Sequence, residues 1–130
     1  MQQGFIASGN IYPCRFVKLT TTTTGQVTQC GAGDEVYGVS QMSTRRSPYV
    51  DSSGYAAEAG EPIGVFDDTE ECALQLGSAV TVPGTRLKSD ANGCGIPVTA
   101  NKDEYGAIAI QTGNAGDQIK VKVQRGQASM

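Results

Sequence analysis

The chain of 130 residues carries 10 Lys and Arg against 13 Asp and Glu, a formal charge of −3, with 17 Gly, 4 Cys and neither His nor Trp. That length makes one domain, burying roughly two-thirds of the surface its unfolded chain would expose. Zinc-finger spacing and the commonest metal ligand are missing, and no stretch nears the roughly 18 apolar residues of a membrane span. The scattered cations form no basic stripe, which speaks against nucleic acid as the main ligand.

Met1 to Asn10 is polar, with Phe5 and Ile6 as its large apolar residues, and lacks the basic region and apolar core of a secretory signal. It reads as an N-terminal arm of the kind that frays at a chain end or, in an assembly, orders by lying on a neighbour, and synthesis and folding in cytoplasm is the expectation. Ile11 to Leu19 and Gln26 to Cys30 read as strands around the rim Thr20 to Thr24, whose branched side chains suit exposed β structure. That hairpin sets Cys14 nearly opposite Cys30, so a disulfide is one reading and two buried reduced thiols the other. Glu35 to Gln41 follows as a third strand.

Ser43 to Tyr55 then departs from strand character. Arg and Tyr combine a large apolar body with directed hydrogen bonds and are enriched where proteins touch. Arg45, Arg46, Tyr49 and Tyr55 are therefore the first partner-contact candidates, with Phe5 and Ile6 of the arm second. A surface loop without a partner is the plainer reading of the segment.

Pro62 to Phe66 is the next strand. Asp67 to Glu71 packs four carboxylates into five residues, without the alternate spacing or the sixth-position Gly of a calcium loop, and reads as a solvated acidic turn, with a weak Ca²⁺ or Mg²⁺ site as the lesser alternative. Glu71 to Leu76 alternates Cys72, Leu74 and Leu76 with Glu71, Ala73 and Gln75, the period of a strand with one buried face. Ala79 to Val82, Ile96 to Ala100 and Ala107 to Gln111 are shorter candidates. Gln118 to Gln124 alternates Ile119, Val121 and Val123 with polar residues, and 126–130 is left as a tail.

About nine short strands punctuated by Gly, Asn, Asp and Pro predict an all-β fold, a sandwich or small barrel. Pro13, Pro62, Pro83 and Pro97 mark strands that are edges, bulged, or begin at the proline. Hiding such edges favours a closed oligomer over a monomer.

The chain also repeats itself. Ala59-Gly60-Glu61-Pro62-Ile63-Gly64-Val65 returns as Ala115-Gly116-Asp117-Gln118-Ile119-Lys120-Val121. Upstream, Pro13 and Lys18 match Pro83 and Lys88, Gly25 matches Gly95, and Val27-Thr28 matches Val98-Thr99. Asp34-Glu35 and Tyr37-Gly38 match Asp103-Glu104 and Tyr105-Gly106. The shared order predicts two duplicated half-units, about 11–76 and 79–124, within one β domain spanning 11–125. The first half carries twelve extra residues between Gly38 and Gly60, and these fall on the Arg/Tyr loop.

Catalytic patterns are thin. There is no Gly-x-Ser-x-Gly elbow, no phosphate loop, no Gly-x-Gly-x-x-Gly and no His to serve as general base. An enzyme would have to run on Asp, Glu, Lys and Tyr. The expectation is a protein that is not an enzyme and that needs no cofactor or metal.

Val17-Lys18-Leu19, Tyr37-Gly38-Val39 and Ala59 to Val65, followed by Leu87-Lys88, Tyr105-Gly106-Ala107 and Ala115 to Val121, resemble the small capsid decoration, or cement, proteins of tailed bacteriophages. The resemblance spans roughly residues 8 to 125. It implies a structural virion protein without catalytic residues, bound as a homotrimer to the major capsid protein on the outside of an assembled head. The Arg/Tyr loop and the acidic run depart from that family's brevity. A small carbohydrate-binding or host-adhesion β-sandwich is the alternative, though such modules display aromatic platforms and this chain has only 5 Tyr.

Overall fold

A computed structural model describes residues 2–20, 25–32, 34–40, 59–66, 69–98 and 104–127. They form ten strands and no helix: β1 Gln2–Ala7, β2 Phe16–Leu19, β3 Gln26–Gln29, β4 Gly38–Ser40, β5 Pro62–Phe66, β6 Glu71–Gln75, β7 Arg86–Ser89, β8 Gly95–Pro97, β9 Glu104–Ala109 and β10 Gln118–Gln127. The first five close into a barrel in the order β1-β3-β2-β4-β5, and the last five make a sheet in the order β6-β10-β9-β7-β8. The all-β expectation holds, and the alternation read in Glu71 to Leu76 and Gln118 to Gln124 is the one observed. Cys72, Leu74, Leu76, Ile119, Val121 and Val123 are all buried.

The two halves share one wiring. β1 pairs antiparallel with β5 as β6 does with β10; β2 lies between β3 and β4 as β7 lies between β8 and β9; β4 pairs with β5 as β9 pairs with β10. The barrel is closed by a parallel contact, Ile6↔Gln26 and Ala7↔Val27, and the second half keeps a single parallel bridge at the same place, Leu76↔Gly95. The repeated sequence segment makes the same turn twice. Gly60 N donates to Ala7 O at 2.8 Å and Ala7 N to Glu61 O at 2.9 Å; Gly116 N donates to Leu76 O and Leu76 N to Asp117 O, both at 2.8 Å. Gly60 and Gly116 have φ of 87° and 89°, and a Cβ at either would meet nothing within 4 Å. Backbone conformation, not space, therefore selects glycine there.

The ladders also correct details of the sequence alignment. Gly38 is equivalent to Ala107 rather than Gly106, because Val17↔Gly38 in one unit answers Leu87↔Ala107 in the other. Val27 is equivalent to Gly95 rather than Val98, since Leu19↔Val27 answers Ser89↔Gly95. The half-units run 2–66 and 71–127: the segment read as an N-terminal arm opens the first as β1, and β6 opens the second. Residues 2–7 lack the alternation of a half-buried strand, so only their partner β5 reveals them. Arg86–Ser89 does alternate in burial, but with Leu87 as its one apolar residue the sequence does not display it, while Ala79 to Val82 contributes the bridge Val80↔Gly113.

Two of the four prolines mark strands as expected, and the other two lie in turns, where a missing amide donor costs no ladder bond. Pro62 begins β5 and Pro97 ends the edge strand β8. Pro13 and Pro83 each precede a positive-φ residue, Cys14 at 58° and Gly84 at 90°, in the turns that lead into β2 and β7.

Two apolar clusters result. Ala7, Ile11, Val17, Val27, Ile63 and Val65 fill the barrel, with Phe5 and Tyr37 packed on them. The other cluster unites the interior of the second unit with Phe16, Cys30, Val36 and Val39 of the first, and Phe66 packs on it. The first unit thus docks its outer β2-β4-β5 face on the second. Polar contacts fix the junction: Phe16 N donates to Gly93 O at 2.8 Å, Gln75 N to Cys14 O at 2.9 Å, and both Arg15 Nη1 and Gln29 Nε2 donate to Asn92 O, at 3.0 and 2.8 Å. Within it Gly106 faces Val36, and a Cβ there would lie 2.5 Å from Val36 Cγ1.

Candidate partner-contact surface

Arg45, Arg46, Tyr49 and Tyr55 lie outside the described residues, in the segment that joins β4 to β5. Phe5 and Ile6 are adjacent in β1 and point to opposite sides of the barrel wall. Phe5 is half-buried against the barrel core and meets Tyr37 edge-on, with ring centroids 5.4 Å apart and planes at 76°. Ile6 faces outward and is 37% exposed. Only Ile6 of the pair reaches the outer surface, because successive side chains of a strand alternate across it.

The acidic run joins β5 to β6. Asp67 and Asp68 lie outside the described residues, Thr69 N donates to Val123 O at 2.6 Å, and Glu71 Oε1 stands 3.1 Å from Lys120 Nζ. The threonine rim spans the β2–β3 connection, with 21–24 outside the described residues.

A groove of about 540 Å³ opens where the end of β2 and the approach to β4 meet the end of β10, and Lys18, Leu19, Asp34, Glu35, Tyr37 and Arg125 contribute to its lining. It continues into a depression of about 260 Å³ shared with Glu104, Tyr105 and Gly126. Lys18 Nζ lies 2.9 Å from Asp34 Oδ2, which also accepts from Gly31 N at 2.8 Å. The hydrogen bond from Lys18 holds the Asp34 carboxyl below its usual range, and the same bond raises the Lys18 ammonium. The Arg125 guanidinium lies 5.0 Å from the centroid of Tyr37, and that of Arg86 lies 5.2 Å from Tyr105. Both tyrosines therefore carry a cation on one face. The groove offers fixed charge of both signs, aromatic faces and the exposed Leu19.

Sequence reading placed Arg and Tyr contacts only in the long loop. Tyr37 and Tyr105 were visible in the repeated Asp-Glu…Tyr-Gly pattern, but their partners, Arg125 and Arg86, come from strands remote in sequence.

All four cysteines are free and buried. The hairpin register sets Phe16, not Cys14, opposite Cys30: Val17 faces Gln29, and Cys30 N donates to Phe16 O at 2.9 Å. Cys14 has already left the strand through its positive-φ turn. Burial pushes the Cys30 and Cys72 thiols up to about 12. It raises Cys14 and Cys94 as well, so none is poised as a thiolate nucleophile.

The fold has a counterpart among solved structures. The crystal structure of the head fiber gp8.5 N base in bacteriophage phi29 superposes with a TM-score of 0.70 at 11% sequence identity, over 100% of this chain and 98% of that one. No protein-family model matches the sequence, and no curated protein does.

Proposed function

We propose that this chain is a structural protein of a phage head, bound to the outside of the assembled shell as a decoration protein. The observation that carries the reading is the likeness in fold, over its whole length, to a head-fibre base. The decoration-protein motifs, which coincide with the duplicated turns at Gly60 and Gly116, support it independently. Its action is mass action: a protein that binds the expanded lattice but not its dissociated subunits stabilises the lattice by RT ln(1 + [L]/Kd) at each site. A homotrimer spanning several capsid subunits adds avidity. Such a protein needs no catalytic group, metal or cofactor.

The test uses expanded empty heads assembled from the major capsid protein of the same phage. Saturating protein is expected to raise their disruption temperature, and an unchanged temperature overturns the reading. Arg45→Ala with Arg46→Ala is expected to weaken trimer or head binding more than tenfold; wild-type behaviour in both assays removes the long loop from the contact.

A further inference from the structure

The same lateral row of residues has opposite fates in the two units. In the first unit the ladders align Phe16, Val39 and Phe66 across β2, β4 and β5, with Cys30 beside Phe16. This row is the face that docks on the second unit. In the second unit the equivalent row is Arg86, Ile108 and Lys122 across β7, β9 and β10, ending on Glu71 of β6. Among the described residues it faces outward: Arg86 and Lys122 are exposed and Ile108 is half-exposed. The next row outward adds Lys120, whose carbonyl accepts from Ile110 N, and Ile110 itself is 39% exposed.

The face has kept an apolar centre, Ile108 where the first unit has Val39, and exchanged its flanking phenylalanines for cations. With Lys88 on the adjoining position of β7, it gathers four of the ten cations of a chain whose net charge is −3. Glu71, ion-paired with Lys120, is the one carboxylate in these rows. The sequence reading of scattered cations is thereby corrected: strand pairing brings positions 86, 88, 120 and 122 onto one side of one sheet.

We propose that this outer face of β10-β9-β7 docks an acidic protein surface with an apolar centre, carried by the shell on which the chain sits. The proposal deepens the reading above and rests on it. Charge complementarity selects the occupant, because a cationic rim steers and orients an acidic partner while Ile108 and Ile110 supply area to desolvate. A second copy of this acidic chain and duplex DNA are the competing occupants. The apolar residues in the middle of the face argue against a phosphate backbone, which takes cations and polar donors.

Binding to expanded heads is measured for the wild type, for Arg86→Glu with Lys122→Glu, and for the milder Arg86→Gln with Lys122→Gln, after circular dichroism has shown each folded. Reversal is expected to weaken binding more than tenfold, neutralisation to weaken it less, and both to flatten the salt dependence. Wild-type binding that both variants retain overturns this inference and leaves the decoration reading standing, whereas heads that fail to bind wild type overturn both. Self-association, in sedimentation, that reversal abolishes while head binding persists assigns the face to a second copy and refutes the proposal. So does binding to a duplex oligonucleotide that reversal abolishes while head binding persists.

Discussion

Gly106→Ala probes the junction between the two units, and its cost follows from the local geometry. Gly106 does not have a positive φ, so the backbone accepts alanine, and the loss of chain freedom in the unfolded state alone would favour the change by about 0.4–1 kcal/mol. The new methyl, however, would stand 2.5 Å from Val36 Cγ1, 2.6 Å from its Cβ and 2.9 Å from its Cγ2. Val36 is 3% exposed and packed in the shared core, so displacing it toward the groove it borders breaks its apolar contacts. Overpacking of this kind costs about 1–3 kcal/mol, which outweighs the entropic gain.

Val36→Gly removes all three offending carbons. Alone it loses the burial of a valine side chain and leaves a cavity, about 3 kcal/mol in all. Combined with Gly106→Ala, part of that cavity is refilled and the clash is gone, so the double variant is expected to be more stable than the sum of the singles by about 1–2 kcal/mol. Equilibrium urea unfolding at constant slope measures all four corners of the cycle. Additivity within about 0.5 kcal/mol, or a Gly106→Ala variant as stable as wild type, would refute the packing of the two units through this contact.

Gly60→Ala and Gly116→Ala are each expected to cost about 1–2 kcal/mol, by forcing a side chain into a left-handed turn rather than by any clash. Because the turns are separate, the double variant should show the summed loss in urea, and a clear departure from additivity would argue against two independent copies of one turn. Ellman's reagent at pH 8 should find Cys30 and Cys72 unreactive in the native protein and reactive in denaturant. Burial raises the folded pKa of both thiols to about 12, so the stability they confer is complete below the unfolded value of about 8.5 and is lost as pH rises toward 12. The unfolding free energy from urea titrations should therefore fall between pH 9 and 11, by about 1.4 kcal/mol per pH unit for each thiol, and fall less steeply in Cys30→Ala with Cys72→Ala. Equal slopes in the two proteins would refute it.

Much of the scaffold was legible from local pattern. Cys72, Leu74, Leu76, Ile119, Val121 and Val123 announced their strands because a buried face imposes a period of two on consecutive residues. The duplicated Ala-Gly-acid turn was legible because a positive φ leaves glycine as the favoured residue in both copies. Residues 2–7 and 86–89 were not, since residues 2–7 carry no alternation of residue types and Arg86–Ser89, though its burial alternates, has Leu87 as its one apolar residue. The contact surface was least legible of all. Tyr37 pairs with Arg125 and Tyr105 with Arg86 across long sequence separations, and nothing near any of them in the chain marks the pairing.

By itself the sequence determined the class of fold, the existence of two like units, the positions of the turns and the burial of the alternating residues. Each of these is set within a few residues by side-chain period or by backbone conformation. The tertiary structure alone decided that β1 and β6 open the units, that one unit closes as a barrel while the other keeps a single closing bridge, and that one face carries apolar residues to an internal junction while its counterpart carries Arg86 and Lys122 to the surface. Those outcomes depend on the register between strands far apart in the chain. A register that turns Phe16 inward to the second unit leaves Arg86, its equivalent, facing outward, because two units stacked end to end bury such a face once and expose it once.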